Sequence, residues 1–143
     1  MKDTREFSFE IPNNFDSLQG SRDKIRNFLE DSNFSSLEKN RILLSLDEAI
    51  TNIIEHGYTD QKAGTITVQL EMNKEGTHFK SSLIDDAVKF NPLMKAKVNP
   101  NDFIEESRDG GMGIYNYIHL MKVEYEERPQ GGNILKLNYT KKV

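Results

Sequence analysis

A carboxylate and a carboxamide one helical turn apart are the side chains of this sequence best placed to do chemistry. Glu48 and Asn52 lie within Leu46-Asp47-Glu48-Ala49-Ile50-Thr51-Asn52-Ile53-Ile54-Glu55-His56-Gly57-Tyr58. Leu43, Leu46, Ile50, Ile53, Ile54 and Gly57 form an apolar stripe at about 100° per residue. Glu48 and Asn52 fall together on the opposite side, roughly 6 Å apart along the axis. Asn is a poor choice inside a helix because its amide competes for local backbone groups. The pair suits a magnesium–phosphate site, since Mg²⁺ takes few protein oxygens and keeps water and substrate phosphates as its other ligands. Asn52 would then be the metal ligand and Glu48 the base or water-positioning group. A solvated polar face is the plain alternative.

Two further clusters follow. Ile84-Asp85-Asp86-Ala87-Val88-Lys89-Phe90-Asn91-Pro92 closes an apolar strand pattern. A carboxylate at a strand end can accept a hydrogen bond from an exocyclic amine such as that of adenine, although two acids opening a turn look the same in isolation. Asp109-Gly110-Gly111-Met112-Gly113-Ile114 runs straight into a helical pattern. Glycines ahead of a helix N-terminus let backbone N–H groups approach and hold phosphate, and a flexible turn has the same composition. His56 ends the first helix, where a packing and capping role is preferred to a contact with a metal-bound water.

The elements that must position these groups can be read from periodicity. Arg5 to Pro12 alternates as a half-buried strand stopped by Pro12-Asn13-Asn14. A helix is expected from about Phe15 to Phe34, weakened by Gly20, and a second from Ser35 or Ser36 to about His56. Ser35 and Glu38 have capping-box spacing, and Gly57 is the expected terminator. Strands at Thr65–Met72 and Thr77–Ile84 are joined by a hairpin turn at Asn73-Lys74-Glu75-Gly76. The stretch from Asp85 to Gly111 loses periodicity, and its middle, about 90–109, reads as a lid. A helix over 113–121 and a hairpin of Lys122–Arg128 with Asn133–Thr140, turning through Pro129-Gln130-Gly131-Gly132, complete the chain. The pattern calls for an α+β fold, a two-layer sandwich with helices on one face of a mixed, mostly antiparallel sheet.

With 143 residues, the chain is expected to form a single domain over 1–143 with one core. The hydrophobic share of 36% and charged share of 29% are those of an ordinary globular protein rather than a disordered one. A net charge of −4 without a basic block argues against direct nucleic-acid binding or an anionic membrane surface. No cysteine is present, which excludes disulfides and thiolate metal sites. No apolar stretch approaches the roughly 18 residues of a membrane span. A cytoplasmic location is expected.

As an ordered set, the Glu48-x-x-x-Asn52 helix, the Asp85-Asp86 strand end with Phe90-x-Pro92, and the Gly110-Gly111-x-Gly113-Ile114 helix start resemble the nucleotide-binding boxes of the Bergerat-fold (GHKL) ATPases. Within that superfamily the chain is most similar to the stand-alone bacterial anti-sigma factor serine/threonine kinases. Their signature is echoed in Glu48 to Tyr58, in Leu120-Met121-Lys122-Val123-Glu124-Tyr125, and in Gly131-Gly132-Asn133-Ile134-Leu135-Lys136-Leu137. The similarity runs from about Phe7 to Tyr139.

The resemblance implies ATP held between helices and lid, with Mg²⁺ on Asn52 and Glu48 as the catalytic carboxylate for a partner's serine or threonine hydroxyl. Asp85 matches the acid that reads the adenine amino group, with Ala87 beside it. Gly111, Met112, Gly113 and Ile114 match the phosphate-binding helix start, and Asn133 the closing strand of the nucleotide site. The implied partners are a sigma factor and an anti-sigma antagonist that serves as phospho-acceptor, with room for a homodimer. Two positions depart from the pattern: Ala87 stands where the family usually has Gly, and Lys89 where it has a small residue or Pro. They motivate the alternative of a non-catalytic, nucleotide-binding module that sequesters partners. An ATPase domain split from a larger machine is a further alternative. A sensor histidine kinase is disfavoured, because His56, His78 and His119 do not sit in a phospho-accepting context.

Overall fold

A computed structural model describes residues 4–57, 63–93 and 120–142. Five strands form one sheet: β1 (Thr4–Pro12), β2 (Thr65–Asn73), β3 (His78–Asp85), β4 (Lys122–Glu127) and β5 (Asn133–Thr140), in spatial order β1-β2-β3-β5-β4. Every pairing between them is antiparallel, so the mostly antiparallel expectation is met without a parallel pair among the described strands. Strict alternation gives each strand one apolar face. Phe9 and Ile11, Ile66, Val68, Leu70 and Met72, Phe79 and Leu83, and Leu135, Leu137 and Tyr139 are all buried on that face. The helices α1 (Leu18–Leu29) and α2 (Ser36–Asn52) contribute Ile25, Phe28, Leu29, Ile42, Leu46 and Ile50 to the same core cluster.

The first expected helix is shorter than its periodicity suggested. A 3₁₀ turn covers Phe15–Ser17, capped by Asn14, whose Oδ1 accepts from Ser17 N, and α1 stops at Leu29. The stop is local: Leu29 O accepts from both the backbone and the hydroxyl of Ser32, which turns the chain away. Phe34 is buried outside the helix, edge-on to Tyr139. Gly20 is accommodated inside α1, where a Cβ would meet nothing within 4 Å. The two helices are joined by a bidentate pair, Arg22 Nε to Asp47 Oδ1 at 2.8 Å and Nη2 to Oδ2 at 3.2 Å.

Helix α2 begins with the expected capping box of Ser35 and Glu38. Its other end differs: the regular helix closes at Asn52, where Ile53 N–H is shared between Ala49 O and Ile50 O, and Ile53–Gly57 form a π-helical turn. Such wide turns concentrate at functional sites. The expected helix over 113–121 and most of the expected lid lie outside the described residues.

Glu38 does more than cap. Its Oε1 accepts from Ser35 N and Lys141 Nζ, and its Oε2 from Tyr139 O–H at 2.8 Å and Lys142 N, so one carboxylate ties the start of α2 to the end of β5. The Ser35 N–H first, then the Tyr139 hydroxyl, the Lys142 N–H and the Lys141 ammonium, hold its pKa at about 2 rather than the ordinary 4.5. A depressed carboxylate contributes stability above its unfolded pKa and loses it as pH falls through the folded value. Unfolding midpoints should therefore fall between about pH 4.5 and about pH 2. The Glu38→Gln variant, less stable at neutral pH, should show a shallower decline over that window. An identical acid slope in both proteins would remove Glu38 from the account.

Candidate functional site

The end of α2, its π-helical turn, the end of β3 and the start of β5 meet around one narrow cavity. It is lined by Ala49, Asn52, Ile53, Gly57, Asp85, Phe90, Pro92, Asn133 and Leu135. Three of the expected site residues, Asn52, Asp85 and Asn133, are therefore brought together from segments far apart in sequence. All three are buried, at 2%, 1% and 4% exposure. Among the described residues the Asn52 carboxamide has no hydrogen-bond partner for Nδ2, an unusual state for a buried polar group.

Asp85 and Asn133 face each other across the β3–β5 ladder. Asp85 Oδ1 accepts from Ala87 N at 2.9 Å and from Asn133 Nδ2 at 2.8 Å. No described group donates to Oδ2. Burial pushes the Asp85 pKa up, the Asn133 and Ala87 donors pull against it, and Asp86 adds to the rise while Arg128 opposes it. The Arg128 guanidinium donates to Asp85 O at 2.8 Å, pinning the strand end to the β4–β5 turn. That turn needs glycine. Gly132 has φ +107°, and a Cβ there would lie 2.1 Å from Asp85 O.

Ala87, the departure from the family pattern, is buried and fits for a specific reason. A Cβ at Gly57 would lie 2.8 Å from the Ala87 Cβ, so the missing side chain at 57 makes room for the methyl at 87. Val88 N donates to Gly57 O at 3.0 Å, which keeps the two segments in contact. Phe90 stacks on His56, centroids 5.8 Å apart and rings 25° from parallel, in line with a packing role for that histidine. Lys89 forms an exposed pair with Glu127 at 3.3 Å, of little energetic weight.

Glu48 does not line the cavity. It is half-buried on α2, one turn before Asn52, and burial, then Asp47 and Glu55, raise its pKa. A raised carboxylate pKa favours proton acceptance near neutral pH. Gly111, Met112, Gly113 and Ile114 lie outside the described residues. Sequence reasoning did not single out Tyr125 and Arg128, which complete the surroundings of Asp85. Their alternation in a strand and turn carries no signal for which partner they meet.

The cavity measures only about 10 Å³, far below the roughly 300–1,000 Å³ of small-molecule sites. Phe90 and Pro92 contribute to its walls. A larger concavity of about 430 Å³ lies on the uncovered face of the sheet, among residues such as Glu6, Gln69, Lys80 and Ser82. It brings together none of the expected site residues.

A helix-covered antiparallel sheet with a narrow, mostly apolar cavity that gathers three buried polar side chains at the end of α2 fits a class: the chain belongs to the histidine kinase-like ATPase domain family, whose model matches residues 11–139. Within known proteins it is similar to the serine-protein kinase RsbW of Bacillus mycoides (strain KBAB4), with 28% identity over 100 residues. That match spans 67% of this chain and 61% of the relative, less than two thirds of the relative's length. The fold also resembles a chain in the crystal structure of the SiaB–SiaC complex from Pseudomonas aeruginosa, with a TM-score of 0.58 and 15% identity. That likeness covers 93% of this chain and 88% of the other. Membership of the family implies use of ATP. Among the described residues no helix is long and apolar enough to cross a membrane.

The Gly57–Ala87 contact can be tested on its own. Gly57→Ala should destabilise by about 1–3 kcal/mol through overpacking, and the added change Ala87→Gly should recover at least about 1 kcal/mol of that loss in a double-mutant cycle. Strictly additive effects in denaturant unfolding would contradict the contact.

Proposed function

We propose that this domain binds ATP with Mg²⁺ and transfers the γ-phosphoryl group to a serine or threonine of a partner protein, as an anti-sigma regulatory kinase in a bacterial partner switch. The observation that supports this best is the convergence of the buried side chains of Asn52, Asp85 and Asn133 on one cavity. Asp85 Oδ2, to which no described group donates, would accept from the exocyclic amine of adenine. Asn52 would hold Mg²⁺ through its carboxamide oxygen, as the family resemblance implies, while its Nδ2, without a partner among the described residues, could donate to a phosphate oxygen. Mg²⁺, when bound, neutralises charge on the transferring phosphate. Glu48 would accept the hydroxyl proton as the partner's oxygen bonds to the γ-phosphorus and the bond to ADP breaks, with positioning carrying most of the catalysis. Gly111 and Gly113 would supply backbone N–H groups to the phosphates.

For a nucleotide to enter so narrow a cavity, Phe90 and Pro92 on its wall would have to shift. The partners proposed are a sigma factor, which the domain would sequester, and an anti-sigma antagonist, which it would phosphorylate. A second reading, a nucleotide-binding module without turnover, is favoured by the buried Ala87 methyl beside Asp85.

Two variants separate binding from transfer. Asn52→Ala should weaken Mg²⁺-dependent ATP binding by about 1.5–3 kcal/mol in calorimetry. Glu48→Gln should hold affinity within a few fold and slow transfer roughly 10²–10⁴-fold. Equal affinity in wild type and Asn52→Ala would sink the metal assignment. ATP binding without transfer to any antagonist protein the wild type binds would favour the module.

A further inference from the structure

The Asn133 carboxamide has every hydrogen-bonding position filled from within the protein. Its Nδ2 donates to Asp85 Oδ1 at 2.8 Å and to Val88 O at 3.0 Å. Its Oδ1 accepts from Phe90 N at 3.0 Å and from the Tyr125 hydroxyl. Two acceptors on one side and two donors on the other allow only one orientation of the amide. No capacity remains for a ligand, so the nucleotide contact expected of Asn133 is not one its side chain can make while this junction stands.

We propose that Tyr125 and Asn133 are positioning residues that set base selectivity: the Tyr125 hydroxyl fixes the Asn133 amide, and the amide holds the Asp85 carboxylate through Oδ1. The same amide ties down Val88 and Phe90, so the geometry of the base-reading carboxylate and that of the cavity wall are set by one group. Tyr125 lies on β4, reaches Asn133 across the β4–β5 ladder, and makes no hydrogen bond to Asp85 itself. Burial, with Glu127 and Asp85 nearby, raises its pKa, which keeps the hydroxyl protonated and able to donate at neutral pH. Removing that hydroxyl leaves Asn133 Oδ1 with the Phe90 N–H alone, and the amide gains freedom to rotate away from Asp85.

This inference rests on the proposed nucleotide reading, and the test separates the two. ATP and inosine triphosphate, which carries a carbonyl in place of the amine, are titrated into wild type and Tyr125→Phe. The wild type should prefer ATP by about tenfold or more, and Tyr125→Phe should weaken ATP about 5–10-fold while leaving inosine triphosphate nearly unchanged. An unchanged ratio, or equal weakening of both nucleotides, overturns the positioning role. In parallel, the Asp85 carboxyl is titrated by NMR in both proteins. Tyr125→Phe should move its midpoint upward, because a loosened Asn133 stabilises the ionised form less. An unmoved midpoint overturns the relay whatever the nucleotide result. If wild type binds neither nucleotide but the midpoint moves, the relay stands as a positioning device, while the nucleotide reading and the selectivity assigned to it fall.

Discussion

Asp85 is 1% exposed, and a carboxylate taken out of water is tolerated only where donors replace the water it has lost. Here the donors come from two directions. Ala87 N reaches back from the segment that follows the strand, and Asn133 Nδ2 reaches across from β5. The second could not arrive unless the two strands were in register at Asp85 and Asn133. That register depends on a turn whose Gly132 can take φ +107° against the Asp85 carbonyl. One buried charge thus constrains the end of β3, the start of β5 and the turn between β4 and β5. Among the described residues both of these donors meet Oδ1, and the proposed role of Asp85 in reading a base falls to Oδ2.

The same end of the molecule is built tightly on the helical side. The π-helical turn after Asn52 brings Gly57 against Ala87, and the absence of a side chain at 57 admits the methyl that distinguishes this chain from its family's usual pattern. His56 and Phe90 stack beside it. Local packing therefore narrows the cavity, while the hydrogen bonds around Asp85 hold a polar group in its wall.

Much of this was legible in the sequence because it is local. Period-two alternation placed β1, β2, β3 and β5 nearly to the residue, and the Ser35–Glu38 spacing found a helix start that is present. The motif residues Asn52, Asp85 and Asn133 were identified by type and order, and they do converge. What stayed hidden is tertiary. The periodicity over Phe15 to Phe34 cannot show that Ser32 ends the helix, because Phe34 is buried for packing against Tyr139 and not for a helical stripe. Glu38 reads as a cap, yet its partners Tyr139, Lys141 and Lys142 are about a hundred positions away. Asn133 reads as a ligand contact, whereas its amide is saturated by four protein groups, two of which, Val88 and Phe90, meet it through their backbones and leave no mark in residue type.

The cavity at the end of α2 and β3 is the proposed nucleotide site, although the larger concavity lies on the face of the sheet away from α1 and α2. Backbone amide shifts followed by NMR during addition of a non-hydrolysable ATP analogue with Mg²⁺ test it most directly. The account predicts that the largest changes fall at 49–57, 85–90 and 133, with Gln69, Lys80 and Ser82 unmoved. Changes concentrated at Gln69, Lys80 and Ser82, with Asn52, Ala87 and Asn133 silent, would contradict it.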